Sequence, residues 1–408
     1  MRRSMRHARA LIFASVLGFA ACTGSPSAGQ QSGSPVAQGA PNTDFAPAFA
    51  GQTRAPEARS GVTIGAEVIA TGLRHPWAIA FLPDGRMLVS ERRGRLYVIT
   101  RAGRVSQPVE GLPEVHARGQ GGLLDVVVGP TFATDRLIYW SYAEPRGQGL
   151  SGTSVARGRL SENADRVDDV QVIFRQMPSW RSNGHFGSRL VFDREGRLYV
   201  TLGDRQGGDS RPLAQDISTH IGKVVRINAD GSTPADNPFV GRADALSEIW
   251  SLGHRNIQGA DLHPDTGALW TIEHGPRGGD ELNIPGAGLN YGWPVIGYGI
   301  DYNGFPIVEA SAREGMEQPV YYWDPVIAPG DMDFYRGALF PWRGDILIAG
   351  LGSQALVRLD IEGERVVGEE RFLLGLGRLR DIAESEDGAL WVITDEDNGR
   401  VVRLTPRS

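Results

Sequence analysis

The chain has 408 residues, 41% of them hydrophobic and 22% charged, enough for one large or two smaller domains of ordinary globular composition. The formal net charge is −6, and the only charged residues among positions 1–21 are arginines, so the rest of the chain is more acidic still. An acidic body without a basic stripe argues against nucleic acid as a partner. The lone cysteine, Cys22, excludes an intramolecular disulfide and a cysteine-built metal site.

In chain order, Met1–Ala10 is basic and Leu11–Ala20 is apolar but too short to span a bilayer. Residues 1–21 therefore read as a signal peptide. The sequence Phe19-Ala20-Ala21-Cys22 resembles the lipobox of bacterial lipoproteins, with phenylalanine in place of the usual leucine. The resemblance implies an exported, periplasmic protein anchored to the membrane through lipidated Cys22. The alternative is simple secretion with cleavage near Ala20 or Ala21. Residues 22–60, rich in Gly, Ser, Pro, Ala and Gln and lacking hydrophobic periodicity, are expected to be a flexible linker, with the folded domain over 61–408.

That body repeats one pattern: an apolar strand, a tight turn with Asp, Glu or Gly, and a second apolar strand. The copies are Ile79–Glu91, Leu124–Ser141, Leu190–Asp204, Gly259–Glu273, Met332–Gly350 and Ile382–Asp395. The 54 glycines and 25 prolines suit a turn-rich all-β chain. Six strand–turn–strand units without a long helical pattern predict a six-bladed β-propeller, with a β-sandwich or two smaller β-domains as the alternative.

The third copy carries the most chemistry. If Asp193 pairs with Leu198 across the Arg194–Arg197 turn, Asp204 falls opposite Gly187, and His185 emerges at the same end of the hairpin. A carboxylate beside an imidazole is the arrangement of an oriented general base. The same pairing places Gly275 opposite Asn256 in the fourth copy and Asp395 opposite Leu379 in the sixth. In a ring, these ends share one face, bringing Gln120, Arg255, Asn256, Arg378 and Arg380 around the axis with the His–Asp pair. Several arginines suit a ligand with more than one carboxylate. Each residue also has a plain structural reading: a solvated histidine, turn-capping aspartates, arginines in salt bridges between blades. The loop His274–Trp293, with Asp280-Glu281 among glycines, offers oxygen donors of the kind calcium takes, without the spacing of an EF-hand.

The segments GLRHPWAIAFLPDG (Gly72–Gly85), GQGGLLDV (Gly119–Val126), HFGSRL (His185–Leu190), LGDR (Leu202–Arg205), GHRNIQG (Gly253–Gly259), HGPRGGDELN (His274–Asn283), NYGWP (Asn290–Pro294) and GRLRD (Gly377–Asp381) resemble the soluble quinoprotein glucose dehydrogenases, and more closely the aldose sugar dehydrogenases among them. The resemblance runs from about Val62 to Leu404. It implies a six-bladed propeller that uses pyrroloquinoline quinone (PQQ) and calcium to oxidise an aldose at C1 to a lactone, passing electrons to an artificial or membrane-quinone acceptor. It implies that His185 is the base and Asp204 its orienter, that Gln120 contacts sugar and quinone, and that Arg255, Asn256, Arg378 and Arg380 hold the cofactor. It further implies that the Gly275 and Pro276 carbonyls bind the active-site calcium, that Glu281 and the Tyr291 carbonyl bind a second calcium, and that Trp323 lines the sugar cleft. The family's glucose enzymes place a lysine in the fifth blade, where Gly350–Gln354 has none, and a glutamine where this chain has Asp209, which bears on sugar preference. A calcium-dependent lactonase and a non-catalytic sugar- or protein-binding propeller are the other functions this architecture admits.

Overall fold

The computed structural model describes residues 33–407. The expected signal peptide and Cys22 lie outside them. Six antiparallel sheets follow one another along the chain, five of four strands and one of three. Their first two strands are Pro76–Phe81 with Met87–Glu91, Leu123–Val128 with Leu137–Pro145, Leu190–Phe192 with Arg197–Thr201, Ile257–Leu262 with Leu269–Glu273, Pro329–Phe334 with Ile346–Gly350, and Leu379–Glu384 with Leu390–Thr394. Each pair falls on one of the six repeats, and the all-β, six-bladed propeller is as expected.

The ring closes through the earliest strand of the body. Ile64–Leu73 pairs antiparallel with Gly399–Pro406 and completes blade six, so no open edge is left between first and last blades. The alternation of apolar residues is used to glue blade to blade. Trp77, Leu88 and Leu96 of blade one pack on Leu123, Trp140 and Ala156 of blade two. Trp270 and Ile272 of blade four pack on Met332 and Ile348 of blade five. The remaining junctions are built in the same way.

A single device shapes the axial end of the blades. In blades one, two, four, five and six the pairing of the first strand slips near that end: between Pro76 and Ala78, Leu123 and Val126, Ile257 and Gly259, Pro329 and Asp331, and Leu379 and Asp381. A bulge inserts a residue with no cross-strand partner and re-aims its side chain. The residues skipped in this way include Trp77, Leu124, Gln258 and Arg380, and all four line the axial cavity. In blade three Leu198 faces Phe192, one residue from the expected register. There the chain reaches the site through left-handed conformations at His185 (φ 47°), Gly187 (φ 62°) and Ser188 (φ 94°) instead. Gly203 must be glycine, because a Cβ would sit 2.2 Å from the His185 carbonyl oxygen.

The flexible linker expected over residues 22–60 does not hold for its described part. Residues 33–60 form a strap across the outer strands of blades four and five. Asn42 donates through its main-chain N–H to Asp324 Oδ2 at 2.8 Å, and Gln52, fully buried, donates Nε2 to the Pro319 carbonyl at 2.9 Å. Ala55 N–H donates to Tyr321 Oη at 2.9 Å, and Glu57 bridges in parallel to Glu369. The strap has no hydrophobic period because what holds it is polar groups on the edges of distant blades.

Candidate active site

His185 and Asp204 meet as the hairpin argument required. His185 Nδ1 donates to Asp204 Oδ1 at 2.6 Å, and both side chains are buried. Asp204 is held from two further sides, by Gln206 N–H at 2.7 Å on Oδ1 and Trp293 Nε1 at 2.8 Å on Oδ2. Burial opposes ionisation of Asp204, but the bond and charge of His185, then Arg255, outweigh it and hold the carboxyl below its usual range. Burial, followed by the Arg255 charge, pushes the His185 imidazole below its ordinary value. The pair therefore rests as a carboxylate and a neutral imidazole whose Nδ1–H is engaged. The Nε2 lone pair has no protein donor among the described residues, and the ring lines the cavity.

The cavity lies on the propeller axis and has a volume of about 190 Å³. The predicted residues Gln120, His185, Arg255, Asn256, Arg378 and Arg380 all line it. The two amides spend their oxygens on the protein: Gln120 Oε1 accepts from His185 N–H at 2.8 Å, and Asn256 Oδ1 accepts from Gly187 N–H at 3.1 Å. Their NH2 groups have no protein acceptor among the described residues. Three residues of the cavity wall, Arg92, Arg255 and Arg380, each carry a buried guanidinium Nε without a hydrogen-bond partner. A buried donor left unpaired costs about 1–3 kcal/mol, so donors gathered around one hollow mark a place built for an acceptor-rich guest.

Sequence reasoning missed several members of this site. Asp395, placed by the pairing argument at the same end, organises its cationic wall. It accepts from His75 Nδ1 at 2.8 Å and Arg380 Nη2 at 3.2 Å, with Arg378 at 3.6 Å and Arg92 at 3.7 Å. Burial opposes its ionisation, but Arg380 and then Arg92 draw it down to about 2. Gln258 joins two walls, donating to Asn256 Oδ1 and accepting from Arg380 Nη1 at 3.1 Å. Trp77 and Gln258 lie at bulges that no hydrophobic period announces. Behind them Arg189 plugs the axis, paired with Asp125 at 3.2 Å, Asp331 at 3.1 Å and Asp381 at 2.8 Å from three other blades.

Gly275, Pro276, Glu281 and Tyr291 line a second, adjoining hollow together with Glu273. Glu273 and Glu281 are cross-strand partners, and burial followed by the Glu273 charge pushes the Glu281 carboxyl well above its usual range. The Gly275 carbonyl accepts from the cationic Arg255 Nη1 at 2.6 Å. Among the described residues no three His, Cys, Asp or Glu side chains converge as a metal set. A calcium ion here would draw on main-chain carbonyls, which suit it.

Two expected residues lie elsewhere. Trp323 is 1% exposed on the outermost strand of blade four, with Nε1 donating to Glu369 Oε2 at 3.1 Å, so it is core and not cleft. The aromatic side chain exposed at the cavity is Tyr302. Asp209 is exposed in the loop after Asp204, whereas Gln206 of that loop is the residue that lines the cavity.

Comparison with known proteins agrees with this geometry. The glucose/sorbosone dehydrogenase family profile matches residues 73–403. The chain belongs to that family. It is 45% identical over 351 residues to the aldose sugar dehydrogenase YliI of Escherichia coli (strain K12), covering 85% of this chain and 94% of that protein. The crystal structure of the soluble aldose sugar dehydrogenase of Escherichia coli in its apo form superposes with a TM-score of 0.81 at 44% identity, covering 85% of this chain and all of that one. The PQQ-bound aldose sugar dehydrogenase of Streptomyces coelicolor matches with a TM-score of 0.70 at 28% identity, covering 85% and 99%.

Proposed function

We propose that this family member oxidises the C1 hydroxyl of an aldose to a lactone, with PQQ as cofactor and His185 as general base. The observation that carries the reading is the convergence of a neutral, oriented imidazole with four arginines around one axial cavity. The donors fit PQQ, whose several carboxylates are acceptors only. Arg255, Asn256, Arg378 and Arg380 would hold it, and Gln120 would present its NH2 to quinone and sugar. Bound there, PQQ supplies the hydride acceptor. His185 Nε2 takes the proton from the C1 hydroxyl, and loss of that proton with the C1 hydride leaves the lactone. Asp204 keeps the Nδ1–H tautomer and stabilises the imidazolium that forms.

Calcium fits the adjoining hollow. Gly275 and Pro276 line it, and Glu281 on its wall is a half-buried acid with no cationic partner among the described residues. Gly275 and Pro276 would hold one ion beside the cofactor, and Glu281 with the Tyr291 carbonyl a second. Export with lipidation of Cys22 and transfer of electrons to a membrane quinone complete the proposal. The test is reconstitution of the purified protein with PQQ and calcium, followed by turnover of aldoses with a dye acceptor. Lactone hydrolysis without PQQ, or no response to PQQ, would replace the proposal with the lactonase or the binding propeller.

A further inference from the structure

We propose that Arg92 is a further cofactor-binding residue, a fourth guanidinium that takes the place of the missing fifth-blade lysine by reaching in from blade one. The inference rests on the PQQ reading. Arg92 follows the second strand of blade one, Met87–Glu91, and not the start of a first strand, where the other cavity arginines lie. Its Nη1 donates to the Gly119 carbonyl at 2.9 Å, and its Nη2 stands 3.7 Å from Asp395 Oδ1. These contacts anchor the far edge of the fork. Its Nε is buried with no acceptor, and the partly exposed side chain lines the cavity.

Among the described residues, the other buried guanidinium nitrogens without a partner belong to Arg205, Arg226 and Arg371, none of which lines the cavity. Two of these have another explanation: Arg205 lies 3.6 Å over the Phe186 ring, and Arg226 pairs with Asp236 at 2.8 Å. The orphan donors of Arg92, Arg255 and Arg380 share one hollow. Charge points the same way. Four arginines and a single ionised carboxylate, Asp395, line the cavity, an excess of three positive charges with the histidines neutral. A polyanionic guest gains from that excess, to which a calcium ion held by Gly275 and Pro276 would add. The fifth-blade segment contributes only Leu351 to the wall. A guanidinium also holds its N–H donors in a rigid planar fork, where the three of an ammonium rotate freely.

The experiment is equilibrium titration of the apo-protein with PQQ in saturating calcium, read by quinone absorbance and by the rise in melting temperature, for wild type, R92Q, R92K and R93Q. Arg93 is exposed, so R93Q makes the same charge change one residue away. R92Q is expected to weaken PQQ binding by about tenfold or more, the worth of one charge-assisted hydrogen bond. R92K, which keeps the charge but not Nε–H, should fall between, and R93Q should match wild type. The apo melting temperature of each variant separates lost affinity from lost folding, and R92K retains a cation against Asp395 if R92Q is unstable. R92Q and R92K both binding like wild type, or R93Q weakening as much as R92Q, would overturn the assignment. Failure of wild type itself to bind PQQ would strike the parent reading instead.

Discussion

Replacing Asp204 by asparagine tests the role of the carboxylate without emptying its place. The amide oxygen can still accept from His185 Nδ1 and Gln206 N–H, which approach Oδ1 at 2.6 and 2.7 Å. The amide NH2 then faces Trp293 Nε1, a donor against a donor where 2.8 Å now separates donor from acceptor. The tautomer survives, but the negative charge that stabilises an imidazolium at Nδ1 is gone. That charge matters only as His185 takes up the proton, so its loss falls on the transition state. A charge-assisted hydrogen bond is worth about 1.5–3 kcal/mol. At about 1.4 kcal/mol per decade this is about a 10- to 150-fold fall in kcat. The assay is steady-state aldose oxidation with dye by PQQ- and calcium-loaded enzyme, with PQQ affinity measured in parallel. Affinity should hold while kcat falls. A D204N enzyme within twofold of wild-type kcat would refute the argument that Asp204 serves the base.

Three other outcomes follow from the same geometry. In the apo-protein the His185 ring should titrate below about 6.5, since burial and Arg255 lower it, as histidine-labelled NMR against an H185Q control would show. The unfolded chain takes up that proton first, so this group makes stability fall as pH drops below about 6.5 and adds nothing above it. R189M would strand Asp125, Asp331 and Asp381 on the axis and cost about 3–5 kcal/mol in urea unfolding; a loss under 1 kcal/mol would contradict the plug. Calcium at a hundred times its Kd should stabilise wild type by about 2.7 kcal/mol per site, and E281Q should lose part of that gain; equal gains would remove Glu281 from any calcium site.

Much of the ring was legible because each repeat is local. Its turn and second strand lie within a few residues, so apolar alternation and turn chemistry suffice. Hairpin pairing is equally local, and a slip of one residue in blade three does not part His185 from Asp204. What stayed hidden depends on distant partners. The strap over 33–60 folds on residues such as Asp324, hundreds of positions away, and shows no period of its own. The bulges that deliver Trp77 and Gln258 are breaks in pairing that leave no mark on the apolar pattern. Trp323 was assigned to the cleft by the family resemblance alone, and its place on an outer strand against Glu369 of the next blade is set by distant pairing. Arg92 is hidden because it sits after a second strand, away from the starts of first strands where the other cavity arginines lie.

The central claim is that one axial cavity joins PQQ to an aldose whose proton goes to His185. Single-turnover reaction of PQQ-loaded, calcium-saturated protein with excess aldose, without any electron acceptor, tests it most directly. Wild type should bleach the quinone absorbance in one exponential whose rate rises with sugar, and H185A should bind PQQ equally well yet bleach at least about a hundredfold more slowly. Equal bleaching rates in the two proteins would contradict the account.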